Sequence, residues 1–299
     1  MVSQANGCAE GGGNGRRRGG LHRRDSVQSA ERRRDAVRKI HPTAAVSPHA
    51  ELGEGVIVGQ FAVIERGCII GDGCRIEAHA SVRRNVRMGS NNVVGHGAIL
   101  GGDPQDRKYA GEETYLEIGN DNIFREFVTL HRATGEGNKT IVGNNNFLMA
   151  YCHLGHNVEL HDNITMANNV GVSGHVTIEE GVNIGGLTGI HQYVRVGKYA
   201  MVGGMSRVVR DVPPFMLTEG TPLRVYDINA VGLRRMGVST EVRLALHKAC
   251  KLLFRSEMGM TRAIEAVRRE VTITPEVEYL LNFLENIGSG RYGRQKQRA

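Results

Sequence analysis

The 299-residue chain contains no tryptophan, and only 5% of its residues are aromatic. Its five cysteines are odd in number and form no Cys-x-x-Cys pair, which fits a reducing compartment. No run of 18 apolar residues is present, which excludes a membrane-spanning helix. A hydrophobic stretch of the kind that a secretory signal needs is also missing. Together these absences predict a cytoplasmic protein.

The charge is unevenly distributed along the chain. The net charge is +7, but residues 1–39 hold ten Lys and Arg against four Asp and Glu, whereas the remainder is nearly neutral, with 28 against 27. Because the segment is rich in Gly and has no apolar core, it is predicted to be a disordered basic tail. Its acidic residues argue against an organelle transit peptide. The lack of aromatics or of a recognised module argues against nucleic-acid binding.

What the chain does have is a period of six. From Ile40 to Val208, every sixth residue is aliphatic or Met, or Phe in one case, at 26 of 29 positions. Neither the 3.6-residue period of a helix nor the two-residue period of a strand produces this pattern, so it indicates a repeat architecture. Many of the 40 glycines directly follow these positions and mark corners. The prediction is an all-β solenoid over 40–215, with three faces in each coil of about 18 residues.

Three positions of the six-residue register are acidic instead of apolar. They are Asp106, Glu112 and Glu136, and the register resumes in phase after each interruption. This pattern predicts loops inserted near 101–117 and 131–140. Loops inserted into a regular scaffold often carry function.

After Val208 the register ends at the segment Asp211-Val212-Pro213-Pro214, and the composition becomes helical. Cap residues, a Pro at a first helical turn and stripes of apolar residues predict helices that begin near Ser239, Thr261 and Thr274. We therefore expect a small α-helical domain over 216–290 and a frayed basic end over 291–299.

Five histidines lie close together in the second half of the solenoid: His153, His156, His161, His175 and His191. The intervals between His156, His175 and His191 are each close to the length of one coil, which places these three near one edge of successive coils. A lone His at a corner is usually a solvated surface residue, but several on one edge indicate a functional site. Two interpretations remain open at this point: a zinc site, as in a γ-carbonic-anhydrase-like protein, or a metal-free general base.

Several motifs between about residues 40 and 255 occur in an order that resembles the UDP-N-acetylglucosamine O-acyltransferases. They are Gln105-Asp106-Arg107-Lys108-Tyr109-Ala110-Gly111, His131-Arg132, His153-Leu154-Gly155-His156, Ala167-Asn168-Asn169, Gly174-His175, Ile190-His191-Gln192, Val202-Gly203-Gly204, Asp211-Val212-Pro213-Pro214 and Gly232-Leu233-Arg234-Arg235. The resemblance implies a left-handed parallel β-helix of hexapeptide repeats and a homotrimer with active sites between solenoids.

The same resemblance implies the chemistry. A 3-hydroxyacyl group would move from the thioester of acyl carrier protein to the 3-position of UDP-N-acetylglucosamine, the first step of lipid A biosynthesis. The phosphopantetheine of the carrier would be the only prosthetic group, with no cofactor or metal of the chain's own. Because a sugar hydroxyl is a weak nucleophile, its proton must leave as it attacks, and a neutral His can take it.

Roles carried over by position follow from the family. His156 would be the general base, Asn157 its orienting neighbour, and the backbone amide of Gly174 would stabilise the oxyanion. By the same resemblance, substrate contacts are predicted for Gln105, Asp106, Lys108, His153, His175, His191, Gln192, Gly204, Asn229 and Arg235. In the family, a small residue at the position of Gly204 leaves room for longer acyl chains.

The chain departs from the family at three of its motif positions. Asn157 replaces the usual Asp, Val231 replaces an acidic residue, and Met236 replaces a frequent second Arg. An Asn carbonyl can orient an imidazole but supplies no negative charge. Two alternatives therefore stay open: a sugar-nucleotide acyltransferase with another acceptor, such as a 3-amino sugar, and a catalytically weakened trimeric binding scaffold. If the missing carboxylate limits the site, Asn157→Asp is expected to raise the rate.

Overall fold

The structure is a computed structural model that describes residues 39–297. The predicted basic tail, apart from Lys39, lies outside the described residues, as do Arg298 and Ala299. Within the described range the chain winds into a solenoid of short strands, most of them two residues long, which form three sheets named A, B and C.

Each sheet takes one strand from each coil. Sheet A contains Lys39–Ile40, Ile57–Val58, Arg75–Ile76, Val93–Val94, Ile123–Phe124, Phe147–Leu148, Thr165–Met166, Asn183–Ile184, Met201–Val202, Met216–Glu219 and Arg224–Ile228. Sheet B contains Ala45–Val46, Val63–Ile64, Ser81–Val82, Ile99–Gly102, Thr129–His131, His153–Leu154, Gly171–Val172, Gly189–Ile190 and Arg207–Val208. Sheet C contains Glu51–Leu52, Ile69–Ile70, Val86–Met88, Tyr115–Ile118, Lys139–Val142, Glu159–Leu160, Thr177–Ile178 and Arg195–Val196.

The six-residue register corresponds to the inward-facing residue of each strand. In strand Ile69–Ile70, for example, Ile70 is 1% exposed and Ile69 is 42% exposed. Because successive side chains of a strand point to opposite faces, the register residues of all three sheets meet in one continuous core. Cys68, Cys74 and Cys152 fill this core, and desolvation by burial raises the pKa of the Cys68 and Cys152 thiols to about 11.

The two predicted insertions lie between consecutive coils. Most paired strands are one regular coil apart, as Ile57 and Arg75 are, but the pairs Ile99 with Thr129 and Thr129 with His153 enclose longer segments. The additional residues form loops at 103–114 and 132–138. Because the first insertion adds two six-residue repeats and the second adds one, the register keeps its phase through both interruptions.

The corners of the solenoid use a left-handed backbone conformation. At most corners the third residue after the register position has positive φ, as in Asn157 (58°) and His175 (60°). Asn and Asp tolerate this region better than most residues, although Leu187 adopts it too, with φ 59°. Corner geometry thus accounts for the Asn, Asp and Gly residues at many of these positions, while large side chains occupy others.

The start of the predicted helical domain is not helical. Met216–Glu219 pairs in parallel with the last regular strand of sheet A, and Arg224–Ile228 pairs antiparallel beside it. The prediction for this part of 216–290 was wrong because the register stops at the two prolines, whereas the open edge of sheet A continues to offer hydrogen-bonding groups.

Four helices follow: α1 Ala230–Arg235, α2 Thr240–Phe254, α3 Met260–Glu270 and α4 Pro275–Gly288. As predicted, the side chains of Ser239 and Thr274 cap α2 and α4, and Pro275 occupies the first turn of α4. Their apolar faces form a second core that includes Leu246, Leu253, Val267 and Leu281. None of the helices within 39–297 is long and apolar enough to cross a membrane.

Residues 291–297 are not frayed, contrary to expectation. The Arg294 guanidinium donates to the Val209 carbonyl (2.7 Å), and the backbone N–H of Gln295 donates to Asp211 (2.8 Å). Lys296 pairs with Glu159 at 3.1 Å. Because Asp211 is 6% exposed, its carboxylate needs hydrogen-bond donors such as the N–H of Gln295. The three contacts together hold the end of the chain against the solenoid.

The register makes a prediction about stability with its control in the same strand. Ile70→Ala should lower the free energy of unfolding by about 2–5 kcal/mol, because it leaves a cavity in the core. Ile69→Ala, next to it but facing outward, should change it by about 0.5 kcal/mol or less. Chemical denaturation followed by circular dichroism measures both; equal losses would contradict the inward assignment of the register.

Candidate active site

The histidine edge lies where sheet B turns into sheet C. The rings of His156 and His175 meet edge to face with centroids 5.1 Å apart, and His175 stacks on Tyr193 at 4.7 Å. His191 lines the same cleft, whereas His161 lies at the different corner between sheets C and A. The edge predicted from the spacing of His156, His175 and His191 is thus present.

The cleft beside this edge has a volume of about 530 Å³. Its lining includes Gln105, His153, His156, Gly174, His191, Gln192 and Arg207. In sheet B the outward positions between His153 and Arg207 are Gly171 and Gly189, at which an added Cβ would meet nothing within 4 Å. Two successive coils therefore present only backbone at the base of the cleft. Sequence reasoning missed these glycines, although their spacing of one coil was a usable signal.

His156 is oriented by its neighbour. Asn157 Oδ1 lies 2.9 Å from His156 Nδ1, and it also accepts hydrogen bonds from the backbone N–H (3.0 Å) and hydroxyl (3.1 Å) of Thr134. A carbonyl oxygen can only accept, so this contact places a proton on Nδ1, and the neutral imidazole then has its lone pair on Nε2. Thr134 lies in the 132–138 loop and was not among the predicted site residues.

Asp106 places a negative charge on the other side of His156. Its Oδ2 lies 4.0 Å from His156 Nε2, while its Oδ1 accepts a hydrogen bond from the backbone N–H of Lys108 (3.0 Å). That hydrogen bond, with smaller contributions from His156 and Lys108, lowers the pKa of Asp106 below its ordinary value. The 103–114 loop therefore supplies an ionised carboxylate at neutral pH.

Three histidines in and beside the edge, His131, His153 and His175, are uncharged at neutral pH. Desolvation lowers the pKa of His153 to about 4, with the nearby His131 adding to the effect, and also lowers the pKa of His131 and of His175. His153 Nδ1 lies 2.9 Å from the Thr129 hydroxyl, and its ring meets that of His131 at 5.1 Å. These rings can exchange hydrogen bonds with a polar ligand without adding positive charge. Among residues 39–297 no group of three or more His, Cys, Asp or Glu side chains could hold a metal ion.

Gly174 fits against the face of the His156 ring. A Cβ at this position would lie 2.6 Å from both Cε1 and Nε2 of His156, so only glycine allows the observed contact. Within the described residues, the backbone N–H of Gly174 donates to no acceptor. It is therefore available to a ligand next to the imidazole.

Asn229 and Arg235 lie elsewhere. They line a second cavity of about 1030 Å³ between sheet A and helices α1 and α2, together with Val231 and Met236. Asn229 is used structurally, since Oδ1 caps α1 at Gly232 N (3.0 Å) and Nδ2 donates to the Tyr199 carbonyl (2.9 Å). Gly204 lies at a corner between sheets A and B and lines neither cavity. One chain thus does not bring all predicted site residues together.

Comparison with known proteins agrees with this fold. Residues 211–293 match the family described as UDP N-acetylglucosamine O-acyltransferase, domain 2, and residues 67–102 and 139–174 match the bacterial transferase hexapeptide family. The acyl-[acyl-carrier-protein]–UDP-N-acetylglucosamine O-acyltransferase of Syntrophobacter fumaroxidans is 44% identical over 257 residues, covering 85% of this chain and 98% of the relative. The chain belongs to this O-acyltransferase family. The Thermodesulfovibrio yellowstonii member is 41% identical over 250 residues, covering 83% and 97%.

Solved O-acyltransferases share the architecture. The UDP-N-acetylglucosamine acyltransferase of Bacteroides fragilis superimposes with a TM-score of 0.80 at 37% identity, covering 83% of this chain and 97% of the other. The Arabidopsis enzyme gives 0.76 at 30% identity, covering 87% and 100%. The fold is therefore a left-handed β-helix followed by a small helical part, and the chain is an acyltransferase.

The contact between Gly174 and His156 can be tested with a neighbouring glycine as control. Gly174→Ala should displace the imidazole and lower acyltransferase turnover by about 10²-fold or more, since misplacement of a catalytic group by about 1 Å can cost this much. Gly171→Ala, whose Cβ would enter open space, should not displace it. Crystal structures of both variants report the ring position, and an unmoved ring in Gly174→Ala would refute the packing argument.

Proposed function

We propose that the chain transfers a 3-hydroxyacyl group from acyl carrier protein to the 3-hydroxyl of UDP-N-acetylglucosamine, the first step of lipid A biosynthesis. The observation that carries the proposal is that two groups lie in one cleft of the described chain. They are Nε2 of His156, which carries the lone pair of the neutral ring, and the backbone N–H of Gly174, which has no acceptor. The relatives are named for their acyl donor, acyl carrier protein, and for their acceptor, UDP-N-acetylglucosamine.

His156 acts as the general base in this reaction. Its Nε2 takes the proton of the sugar hydroxyl while the oxygen attacks the thioester carbonyl, and the N–H of Gly174 donates to the oxyanion that forms. Collapse of the tetrahedral intermediate breaks the carbon–sulfur bond, and Nε2–H returns the proton to the leaving thiolate. The imidazole ends neutral, so the step needs no cofactor of the chain's own.

The other residues of the cleft position the substrates. Gln105, Asp106 and Lys108 come from the 103–114 loop and face the sugar, while the uncharged rings of His153 and His175 offer hydrogen bonds. His191 and Gln192 lie one coil further along the cleft. Acyl carrier protein is acidic, and the exposed basic residues Arg207, Arg210, Arg224, Arg234 and Lys251 offer it complementary charge. We place the reaction in the cytoplasm.

The active unit is a homotrimer with each site between two solenoids. Asn229 and Arg235 lie in a cavity apart from the His156 cleft, so they contribute to a site only when two copies meet. A ladder of rings along the edge between sheets A and B, with centroids 5.1–5.6 Å apart, gives each copy an exposed aromatic stripe: Phe61, His79, His96, Phe127 and Tyr151. Such stripes mark contact surfaces.

The general base can be tested with a matched histidine. His156→Ala should lower the transfer rate by about 10²- to 10⁴-fold, the range of general-base catalysis, while leaving sugar-nucleotide binding intact. His161→Ala, at the corner between sheets C and A, should keep the wild-type rate. Acyl transfer is measured with UDP-N-acetylglucosamine and with its 3-amino analogue. Preference for the amine, or binding without turnover in the wild type, would favour one of the two alternative functions.

The shared site makes a separate prediction. His156→Ala and Arg235→Ala should each lower acyltransferase activity. When the two variants are co-expressed, activity should recover, since some sites then combine an intact His156 from one chain with an intact Arg235 from another. Sedimentation of the wild type should give about three times the 32.7 kDa of one chain. Activity that stays at the level of the two parents would locate the whole site within one chain.

A further inference from the structure

We propose that the backbone of Thr134 selects an amide at position 157, and that Asn157 acts as a positioning residue that fixes the tautomer of His156 while Asp106 supplies the negative charge. The proposal rests on the proposed role of His156 as general base. It replaces the expectation that Asn157 is a weakened form of an aspartate.

Two backbone groups determine the orientation of the Asn157 amide. The Thr134 N–H can only donate, and it faces Asn157 Oδ1 at 3.0 Å; the Thr134 carbonyl can only accept, and it faces Nδ2 at 3.2 Å. Exchanging the two ends of the amide would break both hydrogen bonds. Oδ1 is therefore held in place as the acceptor for Nδ1–H of His156.

An aspartate does not fit this pair of contacts. Its second carboxylate oxygen would take the place of Nδ2 and lie against the carbonyl oxygen of Thr134, one acceptor facing another. Such a contact at a partly buried position is unfavourable, and it is relieved only by protonation or by rotation of the side chain. Either response removes the benefit of the added charge.

The left-handed corner at position 157 does not account for the choice of Asn. Asp121, at a corner between sheets C and A, has a φ of 58°, the same value as Asn157, so this backbone conformation accepts either residue. What distinguishes position 157 is the reach of the 132–138 loop, which places Thr134 against the side chain. The backbone N–H of Asn157 is also anchored, by the Thr140 hydroxyl at 2.9 Å.

The charge that the amide lacks is present on the other side of the ring. Asp106 Oδ2 lies 4.0 Å from Nε2, the atom that takes the proton. An imidazolium formed there would be stabilised by an ionised carboxylate without one at Nδ1. Asn157, at a corner of the solenoid, thus orients the ring, and Asp106, in the 103–114 loop, stabilises its positive charge.

Kinetics of two variants test the proposal. Asn157→Asp should have a kcat no higher than the wild type, and Asn157→Leu should lose about 10²- to 10⁴-fold in kcat with little change in KM. The matched control is Asn169→Leu. Asn169 lies at another corner, has a φ of 62° and does not contact His156, so this variant should keep the wild-type kcat. Because Leu187 already occupies such a corner, the leucine variants are expected to fold, and thermal denaturation checks this. A gain above about threefold in Asn157→Asp, or a loss below about tenfold in Asn157→Leu, overturns the proposal.

Nitrogen-15 NMR of histidine-labelled protein reads the tautomer without any turnover. The His156 signals are assigned as those missing from the spectrum of His156→Ala. They should show protonation on Nδ1 in the wild type, and the preference for this tautomer should be lost in Asn157→Leu. If the wild type shows this tautomer but transfers no acyl group, the proposed function fails and the positioning role stands. If it transfers the group with the proton on Nε2, the positioning role fails.

Discussion

Hydrogen bonding between successive coils is the constraint on which the rest of the structure depends. The backbone N–H groups of Ile57 and His153, for example, donate to carbonyls of the following coil, those of Cys74 and Val170, both at 2.9 Å. Each coil therefore takes its position from the next, and side chains at equivalent positions form columns. An insertion is tolerated only if the chain rejoins its column, which is why the two loops add whole six-residue repeats.

The same constraint assembles the site. The strands Ile99–Gly102, Thr129–His131 and His153–Leu154 are neighbours in sheet B, and each is followed by the same corner. Both long loops leave the solenoid at that corner, one and two coils before His156. They bring Asp106 and Thr134 to opposite sides of one imidazole, although both residues are distant from it in sequence.

Much of this could be predicted because it is periodic or local. The register, the phase of the loops, the histidine edge and the caps at Ser239 and Thr274 each depend on residues at fixed spacing. Thr134 could not be predicted, since its contact with Asn157 depends on the path of a loop without periodicity. Nor does spacing reveal that Asn229 is used to cap a helix, or that Asp211 holds the end of the chain through Gln295. Those outcomes depend on which buried polar groups lack other partners.

The charges in the cleft explain why an amide at position 157 suits the reaction. Desolvation keeps His131, His153 and His175 uncharged, so Asp106 meets few competing cations there. A second carboxylate at Nδ1 would stabilise the imidazolium before any substrate reacts and would leave less of the neutral base at neutral pH. An amide fixes the ring with no such bias. The Asp106 carboxylate beside Nε2 stabilises the imidazolium that forms when the proton arrives, and stronger binding of that charged state than of the starting complex lowers the barrier.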